Sequence, residues 1–279
     1  MEIIRTDSPH DSYYTFFKTN FPWDWGSYEK FIWKHLQDPF LGKNDFYILE
    51  QDKCIRSICV ARKYTYLYRN QAFNILSMMD FVTALPFRRT GKLTYLLQYI
   101  YKNIGFDYSI GFSSYQLRET IHRETSCAQI YYTYLLPPST SPLASASCND
   151  DEAISALNAN ENSFQILRTK KYLAYIKKNP SYRKLVFLKL NSFVIGVAFE
   201  INKENSVRIV EMSDYSMKSC MIAYRMASVF GKTIKIDLPQ KIEEGHFLRE
   251  TCFDVFSKNS DYNIFYKGDL IWVPLSDRK

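Results

Sequence analysis

The chain has 279 residues, 46% of them apolar and 23% charged, which excludes a disordered polypeptide and leaves room for one large domain or two of ordinary size. No apolar run approaches the roughly 18 to 20 residues needed to cross a bilayer, and residues 1–7 lack the basic-then-apolar build of a signal peptide. The net charge of +7 is spread along the chain, which argues against nucleic acid as the main partner and suits an anionic small molecule equally well.

The six cysteines (Cys54, Cys59, Cys127, Cys148, Cys220 and Cys252) are scattered, without a CxxC pair or a neighbouring histidine. A zinc site and a disulfide framework are therefore not expected, and a reducing cytoplasm is the natural compartment. In chain order, the first clear element is a short helix over residues 30–39, ended by Pro39. Strands are expected over 45–50, 55–63 and 72–85. The last of these runs into Phe81-Val82-Thr83-Ala84-Leu85-Pro86-Phe87-Arg88-Arg89-Thr90-Gly91-Lys92-Leu93-Thr94-Tyr95-Leu96-Leu97. A β-rich run stops at Pro86, a basic turn carries Gly91, and Leu93, Leu96, Leu97 and Ile100 then recur at helical spacing. Such a strand-turn-helix exposes backbone N–H groups at the helix start, where the dipole also favours anions. With Arg88, Arg89 and Lys92 beside it, the turn has the make-up of a pyrophosphate cradle. It is neither a Walker loop nor a three-glycine dinucleotide fingerprint.

Another strand over 106–114 follows, with a polar turn at Ser113-Ser114. Residues 137–147, rich in Pro, Ser and Ala, read as a linker or long surface loop. It divides the chain into units 1–136 and 153–279, joined by 137–152. The second unit repeats the first in outline. A helix over 171–180 ends at Pro180, and strands over 184–190, 193–201 and 207–212 follow. Helix, hairpin, strand, helix, strand is thus written twice, as in a duplicated α/β unit. The second copy has no Arg-x-x-Gly, and its helix after 212 has Ser213 or Asp214 as candidate caps. Glu243, Glu244 and His246 read as a solvated helix start, and residues 262–272 as a closing hairpin in which Asp269 could meet substrate.

Arg88-Arg89-Thr90-Gly91-Lys92-Leu93, after a strand ending near a proline, resembles the coenzyme loop of the GNAT superfamily of N-acetyltransferases. Two departures stand out: the loop is about one residue short between Pro86 and Gly91, and bulky Leu93 takes a usually small position. The resemblance implies an α+β fold of two GNAT-like domains, each a mixed, mostly antiparallel sheet flanked by helices, with the second domain degenerate. It implies transfer of an acetyl or other acyl group from acyl-CoA, with acetyl-CoA as the usual donor and no metal, to an amine of a small molecule, sugar or peptide. Backbone N–H groups from Arg89 to Thr94, including Thr90, Gly91, Lys92 and Leu93, would bind the coenzyme pyrophosphate. The strand edge at Val82, Thr83 and Ala84 would pair with the pantetheine arm. Ser114 would touch the coenzyme, and Tyr115 would protonate the leaving thiolate.

Asp80 lies in the apolar run before this edge, so it should face a cleft or hold a partner; burial would favour a base role. The other reading of Asp80 is a residue turned to solvent or capping a bulge. His35, on its Trp-rich helix, reads as structural. Two further functions share the same features: an acyl-CoA-binding protein without catalysis, and a Fem-like aminoacyltransferase. The even charge and the lack of a coiled-coil insert weigh against the latter.

Overall fold

The computed structural model describes residues 1–8, 10–21, 26–38, 46–69, 71–113, 126–159, 165–201 and 203–257. The sequence's Pro39, Ser114, Tyr115 and 262–272 hairpin lie outside these residues.

The first half opens with strand β1 (Glu2–Thr6) and helices α1 (Asp11–Asn20) and α2 (Tyr28–Leu36). Ser27 caps α2 by accepting from Lys30 N at 3.2 Å, which fixes where the helix starts. Strands β2 (Phe46–Gln51), β3 (Cys54–Tyr68) and β4 (Gln71–Thr83) form an antiparallel meander. A 3-10 turn, Leu85–Phe87, leads to helix α3 (Lys92–Asn103) and strand β5 (Tyr108–Ser113), which runs parallel to β4. The expected strand over 72–85 therefore stops at Thr83, because Pro86 has no N–H for the ladder and favours the turn. Strand β6 (Ser126–Leu136) closes this half.

The connector is more than a loop. It contributes the edge strand β7 (Ala146–Ser147), antiparallel to β9, and it is pinned by Arg225 Nε donating to Ser141 O at 2.9 Å. The second half then runs helix α4 (Asp150–Asn158), strand β8 (Gln165–Ile166), helix α5 (Lys170–Lys177), strands β9 (Tyr182–Leu190), β10 (Phe193–Glu200) and β11 (Ser206–Met212). Helix α6 (Met217–Ala227), strand β12 (Thr233–Leu238) and strand β13 (His246–Ser257) complete it. Here β11 and β12 are parallel, as β4 and β5 are in the first half.

The strands lie in the order β1-β2-β3-β4-β5-β13-β6-β12-β11-β10-β9-β7, with β8 added alongside β3. The strand following β5 in sequence, β6, pairs with β12, while the strand following β12, β13, pairs with β5. Each half thus lends its last strand to the other, and β6 pairs with β13 at the centre. The mixed α+β architecture expected from the sequence is met, with the two half-sheets joined edge to edge.

Helix α3 covers one face of the first half-sheet, burying Leu96, Leu97 and Ile100 against Tyr47, Leu49, Cys59, Ala61, Leu76 and Met78. The opposite face, with Phe31 and Trp33 of α2, belongs to a larger core continuous with the second half. Trp33 stacks on Tyr175 of α5 with ring centroids 4.6 Å apart and an interplanar angle of 6°, and its Nε1–H donates to Tyr175 O at 3.0 Å. The two helices that the sequence matched therefore pack on each other.

Two local readings are corrected. Helix α6 is capped by Ser216, not Ser213 or Asp214; Asp214 instead accepts from Ser216 Oγ at 2.8 Å. Residues 243–246 are not a helix start: Gly245, at φ +92°, turns the chain into β13, which begins at His246.

Candidate functional site

Strand β4 pairs with β5 from Ile75 to Met78 and then runs on to Thr83, held on its other side by β3. Among the described residues, no strand pairs with its β5 side beyond Met78. At the point of parting the β3–β4 register slips, so Asp80 and Phe81 together oppose Cys59. This is a β-bulge, and Asp80 takes the left-handed conformation (φ +46°) that Asp tolerates better than most residues. The bulge resets the alternation: Met79 and Val82 face the large core, Met78 and Phe81 the core under α3. The second half has the same device, since the β10–β11 register slips at Gly196/Val197 and leaves Val210 as the extra residue.

The turn after β4 is anchored on both sides. Ala84 N donates to Arg56 O at 2.9 Å, and the Arg56 guanidinium lies 4.1 Å from the Phe87 ring centroid. Arg88 turns back into the fold, donating to Asn20 O and, through Nε, to Thr83 O at 3.4 Å. Thr90 Oγ1 donates to Phe87 O at 2.6 Å. Between these anchors Arg89 (φ +63°) and Gly91 (φ +77°) are left-handed, a backbone alternation that gathers N–H groups into a concave nest. Gly91 is the N-cap of α3 and supplies no side-chain cap, and a Cβ built there meets nothing within 4 Å. The first-turn donors of Lys92, Leu93 and Thr94 thus begin a helix that has no side-chain cap among the described residues. Helix α6, at the equivalent place in the second half, has Ser216 accepting from Ser219 N at 3.2 Å.

Arg89, Thr90 and Gly91 are exposed, while Lys92 reaches back with Nζ 3.4 Å from Gln51 Oε1. The structure therefore brings together Val82, Thr83 and Ala84 at the parted strand end and Arg89 to Thr94 at the nest. Arg88 serves as an anchor of the turn. Among the described residues no group of metal-ligating side chains occurs.

Asp80 is buried and has partners. Its Oδ2 lies 2.8 Å from Lys34 Nζ and 3.1 Å from His35 Nε2, both on α2. The lysine contact is the shorter of the two. On its other side His35 Nδ1 lies 3.0 Å from Arg62 Nη2, an obligate donor, so Nδ1 accepts and the proton sits on Nε2. Arg62 also donates to Asp38 Oδ2 at 2.7 Å and to Lys34 O at 2.7 Å, and Tyr64 Oη donates to Asp38 Oδ2 at 3.1 Å. Burial holds His35 neutral, pushing its pKa down to about 3, with Arg62 and Lys34 adding to the effect against the pull of Asp80. Sequence reasoning singled out Asp80 without its partners. The signal was present: Lys34 and His35 share a helical stripe with Phe31, Asp38 follows just past the end of α2, and buried charged groups need partners.

No family model matches this chain, and no curated protein matches it. Solved structures do. A conserved protein of unknown function from Enterococcus faecalis V583, described as a probable N-acyltransferase, superposes with a TM-score of 0.63 at 9% identity, over 94% of this chain and 74% of that one. A GCN5-related N-acetyltransferase from Anabaena variabilis gives 0.61 at 10% identity, over 91% and 72%. N-myristoyltransferase from Saccharomyces cerevisiae, with myristoyl-CoA bound, gives 0.58 at 9% identity, over 91% and 82%. With parallel β4 and β5 parting at a bulge, an uncapped helix after them and these neighbours, the chain has a GNAT-type fold.

Proposed function

We propose that this protein is an acyltransferase that moves an acetyl or other acyl group from acyl-CoA to an amine. One observation carries the reading: the parted end of β4 leads directly into a left-handed Arg89-Thr90-Gly91 nest and the uncapped start of α3. A pyrophosphate needs several convergent N–H donors and a positive dipole, and both are available there. In this reading Val82, Thr83 and Ala84 present an open strand edge to the extended pantetheine arm, and Arg89 and Lys92 add charge beside the phosphates. Residues 1–136 form the coenzyme unit, 137–152 the connector and 153–279 the degenerate copy. The protein works in the cytoplasm.

For the chemistry, Asp80 is the proton acceptor, directly or through water, and the Lys34 ammonium lies 2.8 Å from its Oδ2. Tyr115 returns a proton to the leaving thiolate, and Ser114 contacts the coenzyme. As the amine nitrogen attacks the thioester carbonyl, the carbon–sulfur bond breaks and the thiolate departs with coenzyme A. The same ion pair also favours a second reading, in which Asp80 only pins α2 to the bulge and the chain binds acyl-CoA without turnover.

The deciding experiment is calorimetric titration of acetyl-CoA, and of a longer acyl-CoA, into wild type and Gly91→Asp. The aspartate adds negative charge in open space where phosphates would sit. Wild type should bind and the folded variant should lose at least about tenfold in affinity, roughly 1.4 kcal/mol. If neither acyl-CoA binds wild type, the proposal fails.

A further inference from the structure

On the α2 side of the sheet, the second half carries a group of cations that the coenzyme reading does not use. Arg208 on β11 sits directly beside Lys235 on the parallel strand β12. Arg249 on β13 lies opposite Thr133 of β6, and Thr133 in turn lies opposite Asp237 of β12. Lys30 of α2 approaches from above, close enough that Arg208 and Glu200 on one side and Asp80 on the other all act on its charge. Helix α2 therefore reaches from the parting of β4 to this group of cations. The coenzyme helix α3 lies on the opposite face of the sheet from α2.

Glu200 and Asp237 are the carboxylates that act on Arg208, and Lys235 and Lys30 bring two further cations beside it. Asp237 is 4.0 Å from Arg208 Nη2 and also accepts a hydrogen bond from Thr133 Oγ1. Glu200 spends part of its charge on the exposed Lys203, at 3.5 Å. Among the described residues, neither Lys30 nor Lys235 makes an ion pair. Arg208 Nη2 is buried without a hydrogen-bond partner, although the side chain is only 6% exposed. Burial pushes Lys235 down to about 8, with Arg208 the next contributor, and burial and then Lys34 lower Lys30. Holding like charges together in a half-buried place is costly unless an anion joins them.

We propose that Arg208, Lys235 and Lys30 form a subsite for an oxyanion, and that it is the anionic group of the amine acceptor. The acceptor class is thus a small molecule carrying both an amine and a carboxylate or phosphate. Its anion docks on the second half while its amine reaches toward Asp80 under α2. This assignment of the subsite to the acceptor rests on the acyltransferase reading; the oxyanion site itself does not.

The test uses the full chain with phosphate, acetate and chloride at matched ionic strength, read by thermal shift and calorimetry. It compares wild type, Lys235→Met and Lys30→Met, since Arg208 is buried enough that its loss could unfold the protein. Phosphate or acetate should raise the melting temperature of wild type saturably, and which one does so identifies the oxyanion. Lys235→Met should weaken that binding at least tenfold and leave acetyl-CoA affinity unchanged. An equal response in wild type and both variants overturns the subsite. If the anion binds but acetyl-CoA does not, the acyltransferase reading falls and the oxyanion site stands. If both bind, glycine should outperform glycinamide, or phosphoethanolamine should outperform ethanolamine, by at least tenfold in kcat/KM. Equal rates for charged and neutral acceptors would overturn the assignment to the acceptor.

Discussion

His35 shows how one side chain couples the candidate site to stability. Its Nδ1 is committed to Arg62 and its Nε2 faces Asp80, so protonation would place a donor against a donor in a fully buried setting. An unfolded histidine titrates near 6.5, while the folded one is held down to about 3. Between those values the unfolded chain takes up a proton that the folded chain refuses. Stability is therefore full above about pH 6.5, falls as the pH drops toward 3 and levels off below it, a loss of a few kcal/mol. Urea unfolding of wild type and His35→Asn from pH 7 to pH 4 should show the steeper loss in wild type. Parallel profiles would mean that His35 carries no such linkage. Asp80 is legible in the sequence as an oddity because an acid interrupts an apolar strand. Its partners are less legible, because Lys34 and His35 sit 46 and 45 residues earlier and meet it only when α2 lies across the bulge. The Arg208–Lys235 pairing is less legible still, since it depends on the parallel register of two strands separated by α6.

At the scale of the element, the turn between β4 and α3 depends on backbone conformation more than on packing. Gly91 and Gly105 have equally empty surroundings, with nothing within 4 Å of where a Cβ would stand at either, but only Gly91 is left-handed. Gly91→Ala should cost about 1 kcal/mol through strain, while Gly105→Ala should be neutral or stabilise by up to about 0.5 kcal/mol by restricting the unfolded chain. Chemical denaturation of the two variants measures this. Equal effects would show that the left-handed conformation at Gly91 is not what sets its cost. This element was the most readable part of the chain: proline stops the ladder, glycine marks the turn, and the leucines after it keep helical spacing. The letters offer a bulge at Asp80 only as one of several readings, because a register slip is fixed by the facing strand. The cap of α6 was misread by a few residues for a related reason. Ser213, Asp214 and Ser216 are all good caps, and the choice depends on where β11 releases the chain; Ser213 instead donates its N–H to Val194 O at 3.0 Å.

For the whole molecule, the halves that look separable in sequence are bound by an exchange of strands. Within residues 1–136, β6 finds none of its partners, because it pairs with β12 on one side and β13 on the other. The edge of β5 that β13 covers would lie open, as would Trp33 where it stacks on Tyr175 and β3 where β8 adds to it. The Pro- and Ser-rich connector marks a change in composition, and composition says nothing about which strands cross it; only the order of pairing does. A fragment of residues 1–136 should therefore fail to give a cooperative thermal transition and should aggregate through its open edges. Co-expressed with residues 137–279 as a second chain, it should recover a soluble complex that melts as one unit. A monomeric 1–136 fragment that melts cooperatively on its own would mean that the exchanged strands are an embellishment of two self-sufficient halves. In that event acetyl-CoA titrated into the fragment would show whether the parted strand and the nest also suffice to hold the coenzyme.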